Sequence, residues 1–372
     1  MRILFVTNNY TPYSGGLVSS IVATVKALQV AGHMVMLVAP DFLGSAHDDL
    51  EWVRRIPSLF RLSYNKKYIA FPWRSKSYIR NCIASFKPDV VHVHHPFLLG
   101  PQAVAAAKEK GIKTVFTYHT MYEAYAHYVP LPQIITQPLI TKKVIRFCKE
   151  VDQIIAPSST IAHHLKAQGI SYVTSIASGL KEQFVNRSFE RKTVKKPYQL
   201  LYVGRFVSEK NIMALFDVMA QLPEAYELTL VGYGNYLDLL QERAYDVLGL
   251  SRERVRFIVQ PTQQTLLDRY RSAHLFLFPS RTDTQGLVIA EAMACSTPVI
   301  AFDGPGQRDS IIDGKNGFIV ANQREMAQQI QSVLSDPYLY ELLQKNAWQS
   351  AQAFDPTHLV QQLIMLYRSV LS

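Results

Sequence analysis

Two doubly wound α/β domains are the architecture this sequence predicts, on three observations. The chain has 372 residues, more than one hydrophobic core usually serves. Its composition, 48% hydrophobic and 18% charged, is that of a chain that builds a core and not of a disordered one. Short apolar runs alternate with helical patterns in both halves, the rhythm of parallel strands joined by covering helices.

In the first half the expected strands are 3–7, 34–39, 90–94, 114–118, 153–156 and 173–177, with a helix over 17–30. In the second half they are 199–203, 227–231, 254–259, 275–278, 298–301 and 317–320, with helices over 212–220, 235–248 and 265–272. The charged, weakly periodic stretch EQFVNRSFERKTVKKP at 182–197 reads as the connection. It gives domains of 1–185 and 186–355, with a closing helix over 356–372 expected to pack back on the first. The opening apolar run is too short for a signal peptide, and no run of eighteen apolar residues predicts a membrane-spanning helix. Cys82, Cys148 and Cys295 are widely spaced, which suggests buried reduced thiols in a cytoplasmic protein and neither a disulfide framework nor a zinc site.

The net charge of +10 is unevenly placed. Residues 1–190 carry 21 Lys and Arg against 11 Asp and Glu, so the whole excess lies there. Between Trp52 and Pro88 nine basic residues and no acid are interleaved with Phe60, Tyr64, Tyr68, Phe71, Trp73 and Tyr78. Such a patch favours an anionic partner, a nucleic acid or an anionic membrane, over a merely basic surface. No helix-turn-helix, zinc or RNA-reading signature supports the nucleic acid. In 140–151, Ile140, Val144, Phe147 and Val151 recur at helical spacing, with Lys142, Arg146 and Lys149 opposite and Lys143 beside them. This helix either lies in a membrane interface or packs on the core with a solvated basic face.

Ligands of doubly wound sheets bind at the carboxyl ends of strands, and the polar motifs sit there. Gly15-Gly16 opens the first helix, where backbone can approach an anion. His119 ends a strand, with Tyr122 and Glu123 close behind; such groups share protons or grip hydroxyls. Arg205 and Lys210 flank a turn, a fork and a point charge suited to a diphosphate. Gly232, in VGYGN, suggests a tight turn under a nucleotide. In PSRTDTQGLVIAEAMA, Asp283 lies in a loop and Glu291 one turn into the next helix. Gln285 and the backbone N–H groups of Gly286, Leu287 and Val288 lie between. Carboxylates accept hydrogen bonds from vicinal hydroxyls, so this pair can hold a ribose and a hexose with a diphosphate between.

Together Gly15-Gly16, AGHMV, His119, APS at 156–158, GRFVSEKN, VGYG and the two acids eight residues apart, with EAMA and PVIA, resemble the retaining nucleotide-sugar glycosyltransferases of GT-B architecture. Within that family, HTMYE at 119–123 with Tyr125, His127 and Tyr128, the basic helix after them and Thr284-Gln285-Gly286-Leu287 are most similar to bacterial diacylglycerol glucosyltransferases. The resemblance implies that Glu291 binds the ribose, and that Asp283 with the N–H groups after Gly286 binds the hexose. It gives Arg205 and Lys210 the diphosphate, His119 the sugar near the reacting carbon, and Gly15-Gly16 the closure over the phosphates. The chain departs from the pattern at Asp283, where glutamate is usual, at Lys181, where an aspartate is usual, and at Tyr233, where an acid is common.

The expected activity is transfer of glucose from UDP-glucose to a lipid such as diacylglycerol, by an enzyme attached peripherally to the inner face of the cell membrane. The alternatives are a GDP-sugar donor and a phosphatidylinositol, soluble or polysaccharide acceptor. No Asp-x-Asp motif lies in a suitable loop, so neither a metal nor another cofactor is expected. No carboxylate is an evident nucleophile of the glycosidase kind. The resemblance implies retention at the anomeric carbon, and front-face displacement is the expected route, the leaving phosphate helping to deprotonate the acceptor.

Overall fold

The computed structural model describes all residues except 13–14, 44–50, 65–66, 124–131 and 186, and the side chains of 62–69. Tyr125, His127 and Tyr128, and the side chains of Tyr64 and Tyr68, therefore lie outside the described residues. The chain divides into two compact units, Met1–Gly179 with Pro356–Ser372, and Leu180–Asp355.

The first unit contains β1 (Arg2–Val6), α1 (Gly16–Val30), β2 (Met34–Pro40), β3 (Val53–Ile56), β4 (Ser58–Tyr64), β5 (Lys67–Pro72), α2 (Ser75–Phe86), β6 (Val90–Val93), α3 (Leu99–Lys108), β7 (Lys113–Thr117), α4 (Gln133–Cys148), β8 (Gln153–Ala156), α5 (Ser159–Ala167) and β9 (Val173–Ser175). The second contains β10 (Tyr198–Arg205), α6 (Met213–Gln221), β11 (Tyr226–Tyr233), α7 (Leu237–Gln241), β12 (Val255–Val259), α8 (Gln263–Ser272), β13 (Leu275–Phe278), α9 (Leu287–Ala294), β14 (Val299–Phe302), α10 (Gln307–Ser310), β15 (Gly317–Val320), α11 (Gln323–Ser335) and α12 (Pro337–Ala351). The closing helix α13 (Pro356–Leu371) belongs to the first unit.

Each unit is built on a parallel sheet, ordered β3-β2-β1-β6-β7-β8-β9 in the first and β12-β11-β10-β13-β14-β15 in the second. Central strands such as VVHV in β6 and LFLF in β13 are buried along their whole length, as strands covered by helices on both faces must be. The order reverses between β1 and β6 in one unit and between β10 and β13 in the other. Those two points, at the strands' carboxyl ends, are where such sheets take ligands. α13 packs Val360, Leu363, Ile364 and Tyr367 onto Ile3, Phe5 and Leu37 of the first sheet.

Several expectations need correction. The 182–197 stretch looks like a linker, but its polar groups are spent inside the second unit. The Trp348 indole donates to the Arg187 carbonyl, Arg271 pairs with Glu190, and Gln344 bonds both the N–H and the C=O of Lys192. The division therefore falls at 179/180 and not at 185. The apolar stripe of α4 faces inward: Val144, Phe147 and Val151 are buried and Ile140 packs against the same core. Its exposed apolar residues are instead Ile134, Ile135 and Leu139, one to two turns earlier. The 52–88 patch folds as β3, the β4–β5 hairpin and α2, all without a sequence-level strand or helix assignment.

Gly232 has a structural reason. It lies in β11 opposite Gly204 of β10, and an added Cβ would stand 1.9 Å from the Gly204 carbonyl oxygen. At Gly16 an added Cβ would meet nothing within 4 Å. Gly232→Ala is expected to cost about 1–3 kcal/mol, the cost of overpacking, whereas Gly16→Ala loses only the flexibility of a helix start. Urea unfolding of the two variants distinguishes them.

Candidate active site

In the second unit the site is assembled across the reversal between β10 and β13. β10 ends at Arg205, and the turn after it carries Glu209 and Lys210. β13 ends at Phe278, and the loop after it carries Ser280 and Asp283 before Gly286 starts α9. Gly286 has φ 69°, a left-handed conformation that glycine adopts without cost. The first turn of α9 then presents the Leu287 and Val288 N–H groups, which no helical carbonyl can reach.

The two cations are not bare. Lys210 donates to Asp283 Oδ1 in a close ion pair, and Arg205 lies 3.4 Å from Glu209 Oε1. Glu209 was overlooked in the sequence, although an acid four residues after Arg205 is the signal that finds it. Asp283 is half-buried. Burial pushes its carboxyl up, but the Lys210 ammonium, with help from Ser280 and Arg205, outweighs this and holds it below the usual carboxylate range. The Ser280 hydroxyl itself points at the Glu209 carbonyl, at 3.5 Å. Asp283 Oδ2 is buried and accepts no hydrogen bond. A buried acceptor left without a donor is costly, and a ligand hydroxyl would relieve it.

Glu291 sits in α9 among buried residues. The Tyr270 hydroxyl of α8 donates to its Oε2 at 2.9 Å. Burial raises the Glu291 carboxyl above its ordinary value, and the Lys181 charge and the Tyr270 bond only partly offset it. The two acids thus share one plan: one oxygen is held by the protein and the other remains for a ligand. An ionised carboxylate is a stronger acceptor for a ligand hydroxyl than a protonated one, and Glu291 takes up its proton at a higher pH than an ordinary glutamate. Nucleotide binding is therefore expected to weaken on acidification starting above the ordinary carboxylate pKa, and a pH series of calorimetric titrations with UDP reads it. Gln285 is buried beside this loop, where an added Cβ on Gly306 would stand 2.5 Å from its backbone nitrogen.

The first unit holds a cluster of histidines at its own reversal. His94 Nδ1 lies 2.9 Å from His119 Nε2, and His92 is bonded to Tyr367 at 2.6 Å and to Thr117 at 2.7 Å. Burial pulls His92 down to about 3, and burial, with His95 and His92 beside it, pulls His119 down to about 3. His119 is therefore a neutral hydrogen-bonding group and not a cation. Glu123 accepts from the Tyr118 hydroxyl at 3.1 Å and pairs with His164 at 3.2 Å. Both its oxygens are used inside the unit, so it ties the end of β7 to α5. Tyr122 is half-buried: its ring packs edge-on against Phe97 and Tyr118, and its hydroxyl is enclosed. Lys142, Lys143, Arg146 and Lys149 of the α4 region are exposed, as expected.

Two Rossmann-like units with cations and acids gathered at a sheet reversal define a GT-B glycosyltransferase. The family comparisons agree. The model for "Glycosyltransferase Family 4" matches residues 14–181, that for "Glycosyl transferases group 1" matches residues 184–350, and the chain belongs to these glycosyltransferases. It is similar to the alpha-monoglucosyldiacylglycerol synthases of Acholeplasma laidlawii, 28% identical over 93% of this chain and 92% of that one, and of Streptococcus pneumoniae strain R6, 26% identical over 92% and 80%. It is also 26% identical to a GDP-mannose-dependent alpha-mannosyltransferase of Mycobacterium tuberculosis, over 86% and 84%. Among solved structures, Anabaena HepE in complex with UDP-glucose superposes with a TM-score of 0.78 at 18% identity, over 99% of this chain and all of that one.

Proposed function

We propose that this enzyme transfers glucose from UDP-glucose to the hydroxyl of a membrane lipid such as diacylglycerol, with retention at the anomeric carbon. The observation that carries the donor reading is the pair of enclosed carboxylates, Asp283 and Glu291, on either side of the α9 N-terminus, next to Arg205 and Lys210. On this reading Glu291 takes the ribose hydroxyls and Asp283 the hexose hydroxyls. The diphosphate draws Lys210 away from Asp283 and takes Arg205 as a second partner. Lys210 then stabilises the charge that grows on the leaving phosphate, as a fixed cation at a developing anion does. The released Asp283 becomes a full acceptor for the hexose. The cations serve in place of a metal, and unchanged turnover in EDTA is the expected result.

The lipid acceptor is supported by the surface of the first unit. Leu59, Phe60, Phe71 and Trp73 of the β4–β5 hairpin are exposed, Phe60 by 66%. Arg54, Arg61, Arg74 and Lys76 are exposed around them. α4 exposes Ile134 by 85%, with Ile135 and Leu139, ahead of Lys142, Lys143, Arg146 and the Lys149 that follows the helix. Apolar groups ringed by cations suit an anionic bilayer surface, where each Lys or Arg contributes on the order of 1 kcal/mol. No helix of the described residues is long and apolar enough to cross a membrane. The experiment is a donor screen over UDP- and GDP-sugars with diacylglycerol in anionic or neutral vesicles, with flotation of the protein in parallel. Glucosylated lipid and co-flotation with anionic vesicles only are expected. Equal flotation with both vesicles would sink the membrane part. The GDP-mannose relative, at an identity close to that of the glucosyl relatives, keeps mannose transfer as the second reading, and selective turnover of GDP-mannose would establish it.

A further inference from the structure

The route by which Glu291 is held leads away from the site into the segment that enters the second unit. Tyr270 is fully buried. Its ring is clamped between Phe184 at 5.6 Å, edge-on, and Phe276 at 5.7 Å. A tyrosine has only two side-chain torsions, so a clamped ring gives its hydroxyl one position, and that position is Glu291 Oε2.

The backbone of Tyr270 is pinned as well. Its carbonyl, in the last turn of α8, receives Lys192 Nζ at 3.0 Å and the Thr297 hydroxyl at 2.7 Å. The same ammonium reaches the Ala273 carbonyl at 3.1 Å and makes a close bond to Thr297. A lysine meeting the final carbonyls of a helix satisfies groups that have no intrahelical partner. Here it does so without a carboxylate among its acceptors, a costly arrangement for a buried cation; burial lowers Lys192 to about 7. Lys192 is in turn fixed by Gln344, which bonds its N–H at 2.7 Å and its C=O at 3.0 Å. Two expensive groups, a buried ammonium and a buried carboxylate, are thus joined through one tyrosine.

We propose that Tyr270 is a positioning residue for nucleotide binding: Lys192 and Phe184 hold it so that its hydroxyl presents Glu291 with one oxygen free for the ribose. This rests on the reading of Glu291 as the ribose acid. With the Tyr270 bond gone, the carboxylate turns or takes up a proton, and ribose recognition weakens while the diphosphate contacts remain.

The test compares the binding of UDP and of 2′,3′-dideoxy-UDP, which lacks both ribose hydroxyls, to the full-length protein by calorimetry. For the wild type UDP binds more tightly, and the ratio of the two affinities measures ribose recognition. Glu291→Ala is expected to bring that ratio to about one. Tyr270→Phe is expected to cut it roughly five-fold, a fraction of a charged hydrogen bond, with dideoxy-UDP affinity held within about a factor of two. It should also raise the pH at which UDP binding falls off. Lys192→Met is expected to lower the ratio in the same way, and it carries the test if Tyr270→Phe does not fold. Equal losses for both nucleotides, or an unchanged ratio in either variant, would overturn the proposal and leave the ribose reading standing. An unchanged ratio in Glu291→Ala would remove the ribose reading itself, and the proposal with it.

Discussion

Lys210→Ala is expected to lower kcat by about 10²–10³-fold, the usual loss when one preorganised electrostatic donor is removed from a transition state. KM for the donor should rise less, because Arg205 and the α9 N-terminus still meet the diphosphate. The variant is also expected to be less stable. Lys210 is the main cause of the low Asp283 pKa, and its loss leaves a carboxylate that is only 19% exposed without its cation. Breaking a buried pair on one side costs about 3–5 kcal/mol; the partial exposure and the nearby Arg205 place this case at or below the lower end. The sign follows from linkage. A depressed Asp283 contributes stability that is present above its unfolded pKa and lost as pH falls through the folded one. The acid-unfolding midpoint of the wild type should therefore lie below that of Lys210→Ala. Single-turnover kinetics and acid titration read the two effects separately, and a variant with normal turnover would remove Lys210 from the chemistry.

Glu291→Gln is expected to give the opposite pairing of effects. Donor affinity should fall about 10- to 150-fold, the range of a hydrogen bond to a charged group. Stability should hold or rise. Burial lifts the Glu291 carboxyl above its ordinary value, so at neutral pH its ionised form opposes folding, and this cost disappears only as pH falls through the raised pKa. Glutamine keeps an acceptor for the Tyr270 hydroxyl and removes the charge. A site group that the fold would be better without is one retained for function. Thermal unfolding with UDP titration measures both quantities. A loss of stability together with unchanged UDP affinity would make Glu291 structural.

Much of this site was legible because its groups lie next to signals that local sequence carries. Arg205, Lys210, Asp283 and Glu291 each come at or after a short apolar run that the alternating strand and helix rhythm marks as a parallel strand, and Gly286 marks the start of α9. What stayed hidden depends on tertiary partners. Tyr270 has no distinguishing neighbours in sequence, and its role comes from Glu291, twenty-one residues away. The 182–197 stretch is as polar as a linker, and only the fold shows that Lys192 and Glu190 are built into the second unit. The α4 stripe has a period that serves a core or an interface equally well, and packing against the first sheet selects the core. The β4–β5 hairpin alternates too weakly, between basic and aromatic residues, to announce itself as two strands.

The central claim is that the second unit grips a nucleoside diphosphate sugar through two acids and two cations at one sheet reversal. A crystal structure of the protein soaked with UDP-glucose tests it most directly. The expected density places the diphosphate on Arg205 and Lys210, the ribose on Glu291 and the hexose on Asp283, with the Lys210–Asp283 pair opened. Density for UDP-glucose away from these four residues, with that pair intact, would contradict the account.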